Sequence, residues 1–176
     1  MAGSISLDPL AVRNKADWLW LAIQEQQTRI FERVPSGAPP SHVEVARLSN
    51  EFDAFIDAVV RLLLLAELTQ AEVSGTSLLN DIATFNAASP HVREVRNTIQ
   101  HFDAYSLGKG RRQEKHGEGI SEVIFTKHPD ELVVTYASLG VAINVTTSAA
   151  SSLHSAIRAA VDNDARKDHA WDPPIA

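Results

Sequence analysis

The residues best suited to chemistry lie in one short segment, which runs from Arg96 to His101. An imidazole has a pKa near neutrality and can accept or donate a proton, while a guanidinium offers forked donors to phosphate oxygens. Together the two groups could support cleavage of a phosphodiester without a metal ion. RNA would supply its own nucleophile, the 2′-hydroxyl. The long side chain of Arg96 can reach toward His101 along a helix, so the spacing allows the pair to act together.

A helix is predicted to carry this segment, because apolar residues recur every three or four positions from Val92 to Phe102. Ser89 as N-cap and Pro90 at the first helical position predict its start. Gly108 or Gly110 predicts its end. A polar stripe, which a plain solvated helix face would also show, lies nearly opposite the apolar one. Its members are Arg93, Asn97, His101 and Tyr105.

Three helices are predicted before this one. The first covers about residues 8–34, with Trp18 and Leu21 among the residues on its buried face. The second begins with a capping box of Ser41 and Glu44 and carries a long apolar stripe, which makes it the centre of a bundle. The third runs from about 77 to 87. We interpret Asp53 and Asp57, one turn apart on the second helix, as solvated charges.

The spacing of the apolar residues changes after Gly108 and Gly110. The short runs EVIFTK, ELVVTY and VAINVT are rich in β-branched residues and are separated by turn compositions, which predicts a three-stranded antiparallel meander. A final helix is predicted from Thr147 or Ser148. The whole chain, 1–176, is therefore predicted to be one mainly α domain. It combines a bundle over 8–110, a meander with a C-terminal helix over 118–165, and a tail over 166–176.

The segment RNTIQH resembles the signature of the HEPN superfamily, in which an arginine is followed by four to six residues and a histidine, commonly with a polar residue after the arginine. Arg96, Asn97 and His101 match that signature. The resemblance covers about residues 8–110 and implies a bundle of four or five helices with the motif on a late helix. It also implies a metal-independent ribonuclease of the toxin or defence type, acting as a homodimer in which both motifs face one cleft.

By the same resemblance, each motif residue has a role. Arg96 would hold the scissile phosphate, His101 would act as general acid and base, and Asn97 would orient the phosphate or the imidazole. The toxin branch often has a tyrosine two residues after the histidine, whereas Tyr105 here follows by four. The meander and the last helix are not part of the minimal family fold. A non-catalytic HEPN-like module that recognises a nucleotide or a protein partner, such as an antitoxin, therefore stays open.

The composition limits the alternatives. A formal net charge of −6 argues against general polyanion binding, so an RNA contact needs a local basic patch. One such patch follows the motif and comprises Lys109, Arg111, Arg112 and Lys115. The predicted substrate-binding residues are Arg93, Tyr105, Lys109, Arg111 and Arg112.

Without cysteine or a His-Glu-x-x-His pattern, neither a metal site nor a cofactor is predicted. His42, His116, His128 and His154 are interpreted as surface residues. No membrane span and no export signal are recognised, which predicts a cytoplasmic protein without a membrane partner.

Overall fold

The architecture is taken from a computed structural model that describes residues 8–35, 40–72, 78–100, 123–128, 130–136 and 138–168, with side chains to 163. These residues form helices and a three-stranded antiparallel sheet, so the predicted fold class, mainly α with a meander and a C-terminal helix, is confirmed. The elements are α1 (Pro9–Arg33), α2 (His42–Glu72), α3 (Leu79–Ala88), α4 (Val92–Gln100), β1 (Val123–Lys127), β2 (Leu132–Tyr136), β3 (Leu139–Ala142) and α5 (Ile143–Asp168).

Helix α1 has two apolar stripes, and only one of them faces the core. Its start is fixed by Asp8, whose carboxylate accepts a hydrogen bond from the backbone of Leu10 at 3.0 Å. The prediction that Trp18 and Leu21 are buried is wrong, since they are 72% and 62% exposed. Both sets of residues have helical spacing, and contact with α2 and α5 buries the set that includes Ala16. The buried members are Val12, Ala16, Leu19, Ile23 and Ile30.

Helix α2 is the centre of the bundle and packs against α1, α4 and α5. The predicted capping box is confirmed: Glu44 Oε2 accepts hydrogen bonds from the Ser41 amide at 2.7 Å and hydroxyl at 2.6 Å. These bonds lower the pKa of Glu44. The predicted core stripe is also buried, and it includes Leu48, Phe52, Phe55, Val59, Leu62 and Leu63.

Helix α4 begins at Val92, two residues later than predicted. Ser89 was expected to cap it, but its hydroxyl donates to Thr146 Oγ1 on α5 at 2.9 Å, so that prediction is wrong. The carbonyl of His91 accepts the first helical hydrogen bond, from Val95. The predicted end of the helix at Gly108 or Gly110 lies outside the described residues.

The sheet has the order β1-β2-β3, with Val123 opposite Tyr136 and Tyr136 opposite Leu139. The first two strands lie where they were predicted. The third ends at Ala142, so the prediction of a strand over VAINVT followed by a helix from Thr147 or Ser148 is wrong. Buried residues recur with helical spacing in this segment, and this spacing outweighs the preference of its β-branched residues for strands. The buried face of α5 runs through Ile143, Thr146, Thr147, Ala150, Leu153, Ile157, Ala160 and Val161.

In the described part of the chain, every helix is too short or too polar to span a bilayer.

Candidate functional site on helix α4

Helix α4 has one face in the core and one at the surface. Val92, Val95 and Thr98 are buried against the bundle, whereas Asn97 and Gln100 are exposed. The arginines of this helix lie between the two faces. The predicted two-faced character of α4 is thus confirmed over the described length of the helix.

Arg96 is held against α2 by a carboxylate. Its Nε donates to Asp57 Oδ1 at 3.0 Å, and the arginine side chain is only 22% exposed. The second oxygen of Asp57 lies 2.6 Å from Nε of Arg61, one turn further along α2. Asp57 therefore joins two guanidinium groups, one from its own helix and one from α4. A carboxylate bonded in this way restricts the rotation of both arginines.

Arg93 makes a similar contact one turn before Arg96. Its terminal nitrogen is paired with Glu67 of α2. Three arginines and two carboxylates thus lie along the contact of α4 with α2, in two separate groups, and these five side chains sum to one positive charge. The contact with Asp57 uses one of the five N–H donors of Arg96, and an approaching phosphate would meet the outer edge of the guanidinium group.

The predicted site residues fall into two groups. Arg93, Arg96 and Asn97 lie within five residues of α4, with Asn97 on the exposed face and the two arginines between the faces. The remaining predicted residues lie outside the described residues, so their distances to Arg96 are not defined. They are the catalytic His101 and the substrate-binding Tyr105, Lys109, Arg111 and Arg112.

Sequence reasoning missed the acidic partners of the arginines. The interpretation of Asp57 as a solvated charge is wrong because its carboxylate bridges Arg61 and Arg96. The Asp57–Arg61 half of this bridge has i,i+4 spacing and could have been read from the sequence. The other half joins residues 39 positions apart and depends on how α4 crosses α2. Glu67 gave no local signal for its contact with α4.

Asp53 is also not a plain solvated charge. Its Oδ1 is buried and has no hydrogen-bond partner among the described residues. Burial raises the pKa of Asp53 to about 6. Burial, together with the negative charge of Asp53, raises the pKa of Tyr136 to about 12. Asp53 thus lies where α2 approaches Tyr136 of the sheet, one turn before the carboxylate of Asp57 that binds the arginines.

A second charged cluster joins α1 to α5. Asp17 Oδ1 lies 2.7 Å from Nε2 of His154 and 3.6 Å from a terminal nitrogen of Arg158. Because a carboxylate only accepts, Nε2 of His154 must carry a hydrogen. The imidazole stacks on Trp20 with ring centroids 5.8 Å apart. The prediction that His154 is a surface residue is wrong, since it is buried between the two helices.

A groove of about 370 Å³ lies between α3 and α5, and its lining residues include Asp81, Phe85, Val145 and Ser152. None of the predicted site residues that the structure describes contributes to that groove.

Within the described residues, no three His, Asp or Glu side chains converge in a way that could hold a metal ion. No family model, no curated protein and no solved structure matches the chain. Its function must therefore be inferred from its own residues and geometry.

Proposed function

We propose that the protein is a metal-independent RNA endonuclease of HEPN type, whose active site lies on α4 and is completed by a second copy of the chain. The observation that carries this proposal is the position of Arg96. Its guanidinium is oriented by Asp57 beside the exposed Asn97, on the helix that leads directly into His101. A cation fixed before substrate arrives loses little freedom on binding a phosphate.

The reaction follows from the residue types. An imidazole of His101 accepts the proton of the 2′-hydroxyl, and the 2′-oxygen attacks phosphorus. The bond from phosphorus to the 5′-oxygen breaks, and a protonated imidazole donates a proton to that leaving oxygen. Arg96 stabilises the charge that develops on the phosphoryl oxygens. The products are a 2′,3′-cyclic phosphate and a 5′-hydroxyl.

The homodimer in this proposal follows from the resemblance of the segment RNTIQH to the HEPN signature. A two-fold axis near α4 would place two copies of the motif on opposite sides of one strand, so one imidazole could act as base and the other as acid. Burial of the reacting phosphate between two protomers would strengthen each charge interaction, because water weakens such interactions.

The test is cleavage of a labelled RNA in EDTA, followed by identification of the new ends. We expect cyclic phosphate ends from the wild type and a loss of at least about 100-fold for Arg96→Ala. Arg158→Ala is the matched control, because Arg158 also pairs with an aspartate between helices but lies on the α1–α5 side. No cleavage by the wild type, or equal cleavage by both variants, would overturn the proposal.

A second candidate is a non-catalytic HEPN-like module that binds a nucleotide or a protein partner through the same face. The pairing of Arg93 with Glu67 and of Arg96 with Asp57 favours it, since these carboxylates offset most of the arginine charge. RNA binding without cleavage in EDTA would select this candidate over the nuclease.

A further inference from the structure

We propose that Arg61 is a second phosphate-binding residue, and that Asp57 holds Arg61 and Arg96 together as one clamp for two successive phosphates of a single RNA strand. The inference rests on the proposed function, because it extends the binding surface of the same site from α4 onto α2. Arg61 lies outside the motif on α4.

The geometry supports a shared role. Asp57 uses one oxygen for each arginine, with Oδ1 3.0 Å from Nε of Arg96 and Oδ2 2.6 Å from Nε of Arg61. Both contacts go through Nε, so terminal N–H groups of each guanidinium stay available as donors. Those groups are the ones that would donate to phosphate oxygens.

The net charge of Asp57, Arg61 and Arg96 also favours the binding of an anion. Two guanidinium groups share a single carboxylate, so the trio keeps one positive charge. The Arg61 side chain is 53% exposed and can meet a ligand without rearrangement of the core. The carboxylate is covered on both oxygens by the arginines, which limits its repulsion of an incoming phosphate.

Apolar surface continues from Arg61 along α2. Leu64 and Leu68 follow at three- and four-residue steps, and both are exposed. An RNA strand that passes from α4 onto α2 would meet the guanidinium of Arg61 and then the apolar side chains of Leu64 and Leu68. Each nucleotide of that strand presents a phosphate and the flat face of a base, which match the cation and the apolar surface. Single-stranded RNA fits this surface better than a duplex, whose bases are stacked inside.

The experiment measures binding of a fluorescent single-stranded oligoribonucleotide by anisotropy at several salt concentrations. It uses the full chain with His101→Ala as the parent, so that the ligand stays intact. Adding Arg61→Ala is expected to weaken binding about 10-fold and to lower the slope of log K against log salt by about one. Arg61→Lys is expected to keep most of the slope, because it keeps the charge.

Arg29→Ala serves as the matched control. Arg29 has a comparable exposed fraction, 45%, and also pairs with a carboxylate one turn away on its own helix, Glu25 of α1. It lies away from α4, so its removal is expected to leave the affinity and the slope unchanged.

The outcomes separate this inference from the proposed function. If Arg61→Ala binds like the parent, or if the parent does not bind the oligonucleotide, the clamp is overturned, whether or not the wild type cleaves RNA. If binding depends on Arg61 while the wild type leaves RNA intact in EDTA, the clamp stands and the nuclease proposal fails.

Discussion

Asp17 and Asp57 each bridge two basic side chains, but in surroundings that differ. Asp17 of α1 contacts His154 and Arg158, both on α5, and the imidazole is buried under Trp20. Asp57 of α2 contacts Arg61 on its own helix and Arg96 on α4, beside the exposed Asn97. The two carboxylates are about equally exposed, at 37% and 35%, but the first bridge contains a buried imidazole whereas the second contains Arg61, which is 53% exposed.

The difference indicates which bridge serves the fold. A buried polar group that loses its partner costs more than an exposed one, because water cannot replace the lost hydrogen bond. Without Asp17, Nε2 of the buried His154 would lose its hydrogen-bond acceptor. Arg61 is 53% exposed and Arg96 22%, so both would keep contact with water without Asp57. The same residue types can therefore stabilise one interface and organise a binding surface at the other.

The first prediction compares the stability of two alanine variants. Asp17→Ala should lower the free energy of unfolding by about 2 kcal/mol, because Nε2 of His154 loses its acceptor. Asp57→Ala should lower it by less than about 1 kcal/mol, because its arginine partners can be hydrated. Urea unfolding at pH 7 measures both. An equal or larger loss for Asp57→Ala would mean that its bridge also serves mainly to hold the fold.

The second prediction concerns catalysis and rests on the proposed function. Asp57→Asn should lower kcat for RNA cleavage about 10-fold, because Arg96 is no longer held in place. KM should not rise, because the substitution adds positive charge to the surface. Steady-state kinetics in EDTA gives both constants. Asp17→Asn is the control and should leave both unchanged, and a rise in KM at constant kcat for Asp57→Asn would contradict a positioning role.

The third prediction concerns Asp53, the carboxylate one turn before Asp57. Its pKa is raised from 3.8 to about 6, so the folded protein binds this proton more tightly than the unfolded chain. Stability should therefore fall as the pH rises from about 4 to 6 and then level off. We expect the ionisation of Asp53 to lower the free energy of unfolding by about 1 kcal/mol over this range. This is less than the full pKa shift implies, because solvent screens a partly exposed group.

Urea unfolding of Asp53→Asn between pH 4 and pH 7 tests this prediction. The variant should lack the part of the pH dependence that Asp53 contributes. Asp162→Asn, which removes an exposed carboxylate paired with Arg13, should keep it. A variant at position 53 with the pH profile of the wild type would show that the carboxyl titrates normally.

Elements with local signals were predictable from the sequence. The start of α2 was predictable because Ser41 and Glu44 bond within one turn, and its buried face because only one apolar stripe runs along it. The first two strands are bounded by turn compositions and were also predictable.

The errors occurred where two local patterns compete. Trp18 and Leu21 are apolar and have helical spacing, and only contact with α2 and α5 shows that the buried face of α1 lies elsewhere. The segment from Ile143 to Thr147 suits a strand by composition and a helix by period, and burial against α2 and α3 selects the helix.

The candidate site was predictable only in part. The sequence predicted the exposed position of Asn97 and a face of α4 opposite the apolar stripe. The contact of Arg96 with Asp57 was not readable, because it depends on the crossing of two helices rather than on sequence distance. The same holds for Asp17 and His154, which are 137 residues apart.

The most direct test of the nuclease proposal is the single-turnover rate of RNA cleavage in EDTA for the wild type and for His101→Ala. General acid and base catalysis predicts that the wild type is faster by at least about 100-fold. His128→Ala, at an exposed histidine next to β1, should cleave like the wild type. A ratio near one between the wild type and His101→Ala, or an inactive wild type, would contradict the proposal.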